Sequence, residues 1–183
     1  FGNYYLEDKI NTAPKAVELK KMNGFEKKIL ISHQNSVEKR LFCTIDQIGL
    51  KNPNQCFLIA MRNQKKSCYQ FHAKNVFIIN EVDIYDFMQS CDLHISIYST
   101  MILETLYVGI PNILINEQCI SEHYFSKIIR PSNNVWYMND VDKISDLIKQ
   151  WPFDAKEIIK EKYNYLFYTN QQEQIETIQN IVK

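Results

Sequence analysis

At 183 residues and 21.7 kDa the chain is long enough for one substantial core, and one principal domain is the expectation. Its 21 Lys+Arg balance 21 Asp+Glu, and no basic block exists that could neutralise a row of phosphates, which speaks against a general nucleic-acid binder. A hydrophobic fraction of 45% rules out intrinsic disorder, and only 4 Gly and 5 Pro rule out a collagen-like or linker-rich chain.

Residues 1–28 carry scattered aromatics (Phe1, Tyr4, Tyr5), Pro14 and then a lysine-rich stretch without period. They read as a connector from an upstream region, and the start at Phe1 rather than Met fits that reading. From residue 29 short β-branched apolar runs alternate with amphipathic segments, the pattern of parallel strands joined by crossover helices. Strands are predicted at 29–31, 56–59, 76–79, 93–97 and 112–115, with a weaker one at 135–137. Such continuous apolar runs suit strands covered on both faces.

Helices are predicted over 36–48, 84–90, 100–108, 121–129 and 141–149. Ser36, Asp83 and Asn139 are the expected N-caps, and Gly49 and Gly109 the expected left-handed C-terminal residues. Residues 151–183 read as a helical tail opened by a capping box, Asp154 with Glu157, and broken near Thr169-Asn170. The tail's aromatics Tyr163, Tyr165, Phe167 and Tyr168 are expected to pack against a partner domain, since no basic groove accompanies them. The fold class predicted is α/β: a doubly wound, Rossmann-like parallel sheet of about six strands, helices on both faces, ligand crevice at the strands' carboxyl ends.

Five cysteines (Cys43, Cys56, Cys68, Cys91, Cys119) form no C-x-x-C pair and are odd in number, so they read as reduced thiols of a cytoplasmic protein. Cys68 and His72 have a C-x3-H spacing, but nothing nearby supplies two further ligands, and no metal site is expected. The longest apolar stretch, Leu93 to Ile115, is interrupted by His94, Ser99, Glu104, Gly109, Pro111 and Asn112 and cannot cross a bilayer as one helix.

The most informative run is Ser90 to Asn116: a buried strand, a polar turn at Ser99-Thr100, a helix containing Glu104, and a Gly-Ile-Pro turn into the next strand. A helix beginning at that turn presents unpaired amides and its positive dipole end at the carboxyl edge of the sheet, which makes a seat for phosphate. Glu104 lies four residues after Thr100, among Ile102, Leu103 and Leu106, where a carboxylate is costly unless paired. Capping would need the acid three residues after the cap, so Glu104 is better read as accepting hydrogen bonds from a ribose or sugar diol. No G-x-S-x-G elbow and no P-loop pattern occurs.

Asp92-Leu93, Ser99-Thr100, Glu104 and Gly109-Ile110-Pro111 together resemble the donor-binding half of GT-B-fold glycosyltransferases, closest in flavour to bacterial capsule, teichoic-acid polymerase and sialyltransferase-like enzymes. The resemblance implies a nucleotide-sugar-binding domain over 29–150, with a nucleotide sugar as donor substrate and no other cofactor. By it, Ser99 and Thr100 hold the donor phosphates with Ser32, Gln34 and Asn35 of the facing loop; Glu104 holds the ribose or sugar; and Asn80, Glu81 and Val82 read the base. His33 and His123, at strand-end loops, are the candidate catalytic histidines, whereas His94, inside a strand, reads as a satisfied core residue. It further implies an upstream acceptor domain, and peripheral association of the full-length enzyme with the inner face of the membrane. Where several of the polysaccharide enzymes carry His-Pro, this chain has Ala60-Met61-Arg62-Asn63-Gln64, and Arg62 is the residue there with charge to offer phosphate. A nucleotide-sugar epimerase and a non-catalytic nucleotide-sugar-binding module are the alternatives; the glycine pair expected of the epimerases is absent before Glu104.

Overall fold

A computed structural model describes residues 22–61, 69–79 and 84–166 of the chain. Its strands are β1 (Lys27–Ser32), β2 (Gln55–Ala60), β3 (Val76–Ile79), β4 (Leu93–Ser96), β5 (Asn112–Ile115) and β6 (Val135–Met138). They form one sheet in the order β3-β2-β1-β4-β5-β6, every neighbouring pair parallel. The predicted doubly wound α/β sheet is therefore the observed one, the weak sixth strand included.

The helices are α1 (Glu38–Lys51), α2 (Ile84–Met88), α3 (Met101–Tyr107), α4 (Ile120–Phe125), α5 (Val141–Gln150) and α6 (Lys156–Tyr163). Side chains alternate across each strand, so the apolar runs feed two separate cores. Ile29, Ile31, Phe57, Ile59, Ile95 and Ile113 face Leu41, Phe42 and Ile45 of α1 and Ile144 and Ile148 of α5. On the other face Leu30, Leu58 and Ile79 pack with Phe87 and Met88 of α2, while Leu114 and Val135 pack with Ile102 and Leu106 of α3, Phe125 of α4 and Ile159 and Tyr163 of α6. Met22, 5% exposed, belongs to the α2 cluster, so packing into this domain begins ahead of β1.

Several local signals are overruled by packing. Gly49 is no helix terminator: α1 runs through it to Lys51, and a Cβ there would lie 2.9 Å from both Ala73 Cβ and Val76 Cγ2, so glycine lets the helix sit close on the β3 approach. Ser36 does not cap α1, which Val37 precedes without a side-chain bond; Ser36 instead meets the Tyr98 hydroxyl. Asp140 rather than Asn139 caps α5, its Oδ1 accepting from the amides of Asp142 (2.8 Å) and Lys143 (3.3 Å). Asp154 forms no capping box but joins Asn134 by two hydrogen bonds, 2.8 and 3.0 Å, which pin the start of the tail to the approach to β6. Tyr163 packs into this domain's own core rather than against a partner, being 4% exposed. Asp83, Phe167, Tyr168 and the break at Thr169-Asn170 lie outside the described residues.

Gly109 behaves as expected, with φ of +87°, and a Cβ there would run into the Lys156 carbonyl. Gly24, at φ +95°, has nothing within 4 Å of that position. Gly109→Ala should therefore destabilise the fold by roughly 2–4 kcal/mol, from left-handed strain plus overlap, and Gly24→Ala by only about 1 kcal/mol from the strain alone. Urea denaturation of both variants measures the difference; equal losses would mean that the α6 approach yields freely.

Candidate functional site

The crossovers run outward in opposite directions from β1 and β4, so the loops leaving these two adjacent strands diverge and open a crevice at the carboxyl edge of the sheet. A cleft of about 310 Å³ lies there. Ser32 and His33 line it from the end of β1, Ala60 from β2 with Met61 just after it, Ile79 from β3, Tyr85 from α2, and Ser99, Thr100 and Glu104 from the β4–α3 turn and α3. The sequence-predicted Ser32, His33, Ser99, Thr100 and Glu104 thus converge on one cavity.

The turn differs in detail from a simple helix N-terminus. Within the first turn of α3 the Met101 amide donates to Ser99 Oγ (3.3 Å), Ile102 to the Ser99 carbonyl (3.2 Å) and Leu103 to the Thr100 carbonyl (3.0 Å). The unspent donors are one step earlier: among the described residues the Ser99 and Thr100 amides have no acceptor, and neither does the exposed Thr100 hydroxyl. The anion seat that the arrangement can form is therefore a loop of amides and hydroxyls beside α3.

Gln34 does not face the cleft as a ligand group. Its Nε2 donates to the Tyr98 carbonyl (2.6 Å) and its Oε1 accepts from the Tyr98 amide (3.2 Å), so a single side chain clips the β1–α1 loop to the residue before Ser99. Asn35 is exposed in a short 3-10 turn and lies off the cleft lining. His33 is at the cleft but tethered, its Nε2 donating to Glu38 Oε2 at 2.7 Å and its ring lying 5.6 Å from that of Phe42. His123 sits exposed on α4 edge-on to Tyr124 and does not reach the cleft. Asn80, Glu81, Val82 and Arg62 lie outside the described residues.

Glu104 is half-buried, and burial pushes its carboxyl pKa up, while a hydrogen bond from the Tyr85 hydroxyl to Oε2 (2.9 Å) acts in the opposite direction. Oε1 has no donor among the described residues and can accept from a ligand hydroxyl. Sequence reasoning missed Tyr85. The lone acid among apolar neighbours called for a partner, but nothing local names one 19 residues away.

Behind Ser32 runs a buried polar row across three strands. Ser32 Oγ lies 2.9 Å from His94 Nε2, His94 Nδ1 meets Asn112 Oδ1, and Thr105 of α3 donates to the same Oδ1 (3.0 Å). His94 is thus the satisfied core residue expected; burial pushes its pKa down to about 4, the bond to Asn112 opposing. Among the described residues no group of three His, Cys, Asp or Glu could hold a metal ion, and Cys68 lies outside them. No described helix is long and apolar enough to cross a membrane.

Strand order and cleft position define the class, a Rossmann-like α/β domain with its crevice at the reversal of the sheet. No family model and no curated protein matches the chain. Solved structures do resemble it: spinosyn forosaminyltransferase SpnP with a TM-score of 0.59 at 13% identity, over 87% of this chain and 45% of that one. Spinosyn rhamnosyltransferase SpnG complexed with thymidine diphosphate gives 0.55 at 13%, over 76% and 42%. UDP-GlcNAc 2-epimerase from Neisseria meningitidis bound to UDP-GlcNAc gives 0.50 at 14%, over 88% and 43%. The fold is thus that of one half of a GT-B glycosyltransferase, shared with an epimerase, and the chain spans less than half of each of these relatives.

The buried neutral His94 makes a pH prediction. The unfolded chain takes up a proton on this ring near pH 6.5 and the folded chain only near 4, so the unfolded state binds more protons in between. Stability should fall as pH drops through that window, by on the order of 3 kcal/mol from this group. Denaturation midpoints of the wild type and His94→Gln from pH 7.5 to 4.5 check it: the variant starts lower and loses less. Parallel curves would contradict a neutral His94.

Proposed function

We propose that this chain is the nucleotide-sugar-binding half of a glycosyltransferase that builds a bacterial surface polysaccharide. The observation that carries the reading is the convergence of the Ser99-Thr100 donors, Glu104 and the end of β1 on one cleft at the reversal of the sheet. A diphosphate seated on the Ser99 and Thr100 amides and the Thr100 hydroxyl would have its developing charge stabilised as the sugar leaves. Glu104, one turn further on, would accept from the ribose diol.

That SpnG was solved with thymidine diphosphate and the epimerase with UDP-GlcNAc fits a nucleotide-linked ligand. The Asp92 to Pro111 pattern supports the polysaccharide branch. On this reading acceptor groups and the catalytic base come from a second domain facing the cleft, and the full-length enzyme works on the cytoplasmic side, at the inner face of the membrane. The epimerase likeness, over 88% of the chain, keeps epimerisation as the second reading.

Calorimetric titration with uridine, thymidine, guanosine, cytidine and adenosine diphosphates and their sugars tests the proposal. One base class should saturate, Glu104→Ala should weaken it roughly tenfold, and Ser99→Ala/Thr100→Ala at least as much. Absence of binding across the panel, in this chain and in the full-length protein, would sink the reading. Full-length protein that releases epimerised nucleotide sugar without transferring it would establish the second one.

A further inference from the structure

The proton positions in the buried row behind the cleft follow from its chemistry. Asn112 Nδ2 donates to the Ile110 carbonyl (3.0 Å), a group that can only accept, and this fixes which way the amide points. Asn112 Oδ1 therefore faces His94 Nδ1, and two acceptors cannot meet there, so Nδ1 carries a proton. The ring has no exposure, its two nitrogens hydrogen-bond to an amide and a hydroxyl, and neither partner is a carboxylate that could stabilise an imidazolium. It is neutral, and Nε2 is an acceptor. The Ser32 hydroxyl, 2.9 Å away, must then donate its one proton inward to Nε2.

Ser32 is 5% exposed and lines the cleft, and with its one proton given to the imidazole its hydroxyl can meet a ligand there only through oxygen lone pairs, made more basic by that donation. A phosphate oxygen, itself an acceptor, gains nothing from such a group. We infer that Ser32 is a specificity residue that accepts a hydrogen bond from an uncharged hydroxyl or N–H of the ligand, held in that polarity by His94 and Asn112. The inference rests on the nucleotide-sugar reading of the same cleft and revises the expectation that Ser32 binds phosphate. Phosphate is left to Ser99 and Thr100, whose unspent donors have the right polarity. The site then has three unlike contacts: donors for an anion, a carboxylate for a diol, and a neutral acceptor for one further hydroxyl or N–H.

The test combines a spectrum and a titration. Histidine ¹⁵N NMR at pH 7.5, with His94 assigned through His94→Gln, should show a neutral ring protonated on Nδ1. A ring protonated on Nε2, or an imidazolium, overturns the inference whatever the ligand. Ser32→Ala, checked for folding by circular dichroism, should then bind the tightest nucleotide sugar of the panel about tenfold more weakly. The thermal shift given by millimolar inorganic pyrophosphate should be unchanged in the same variant. Parallel loss of pyrophosphate, or no loss of either ligand, overturns the assignment. Failure of the wild type to bind any probe overturns the functional reading and the ligand contact with it, even where the spectrum is as expected, so the two failures are told apart.

Discussion

The structure depends most on the seam between β1 and β4. Crossovers wind away from it on opposite faces, so the two loops that line the cleft are carried outward by different helices. Gln34 spans the gap with one amide, returning both hydrogen bonds that the Tyr98 peptide offers, and Ser36 adds a contact to the Tyr98 hydroxyl. Below the loops, Ser32, His94 and Asn112 tie β1, β4 and β5 into a polar row on a face otherwise packed with Leu30, Leu58 and Leu114. Such a row specifies register: a slip of one residue would drive the imidazole of His94 into the isoleucine core under α1 and α5.

The same row explains how a helix as short as α3 can be a precise platform. Seven residues give little dipole, and their first-turn amides are already bonded. Rigidity comes instead from Thr105, whose single hydroxyl proton is shared between Asn112 Oδ1 (3.0 Å) and the Met101 carbonyl (2.9 Å), and from Ile102 and Leu106 buried beneath. The loop before α3 keeps the unspent donors, and the helix keeps Glu104 at a fixed height above them.

Much of this was legible because the strands are covered on both faces. Apolar runs at 29–31, 56–59, 76–79 and 112–115 mark strand cores without any alternation to misread, and an alternating order of strands and helices leaves few topologies. Cleft residues were legible for a related reason, since polar residues directly after such strands lie at the carboxyl edge. What failed was every inference from a local rule that tertiary contacts could outbid. Gly49 answers to Ala73 and Val76 rather than to helix termination, and Asp154 answers to Asn134 rather than to its own helix. Gln34 read as a ligand because a polar residue in that loop has the right address; that its amide is consumed by Tyr98, 64 residues on, is a property of the fold alone. His123 has the right kind of address too, but α4 holds it outward beside Tyr124.

Glu104 shows how closely such a site's polarity is balanced. Burial already raises its pKa, and on the proposed reading a diphosphate seated one turn away would raise it further, since a neighbouring negative charge disfavours the ionised form. A protonated Glu104 would turn a hydrogen-bond donor toward the ligand and lose its preference for a diol. The opposing influence is the Tyr85 hydroxyl, whose donated bond stabilises the carboxylate and leaves Oε1 as an acceptor. Tyr85 and His94 thus do the same work on two different oxygens. Each fixes whether a cleft residue gives or takes a proton, His94 from the buried row behind Ser32 and Tyr85 from the cleft wall beside Glu104.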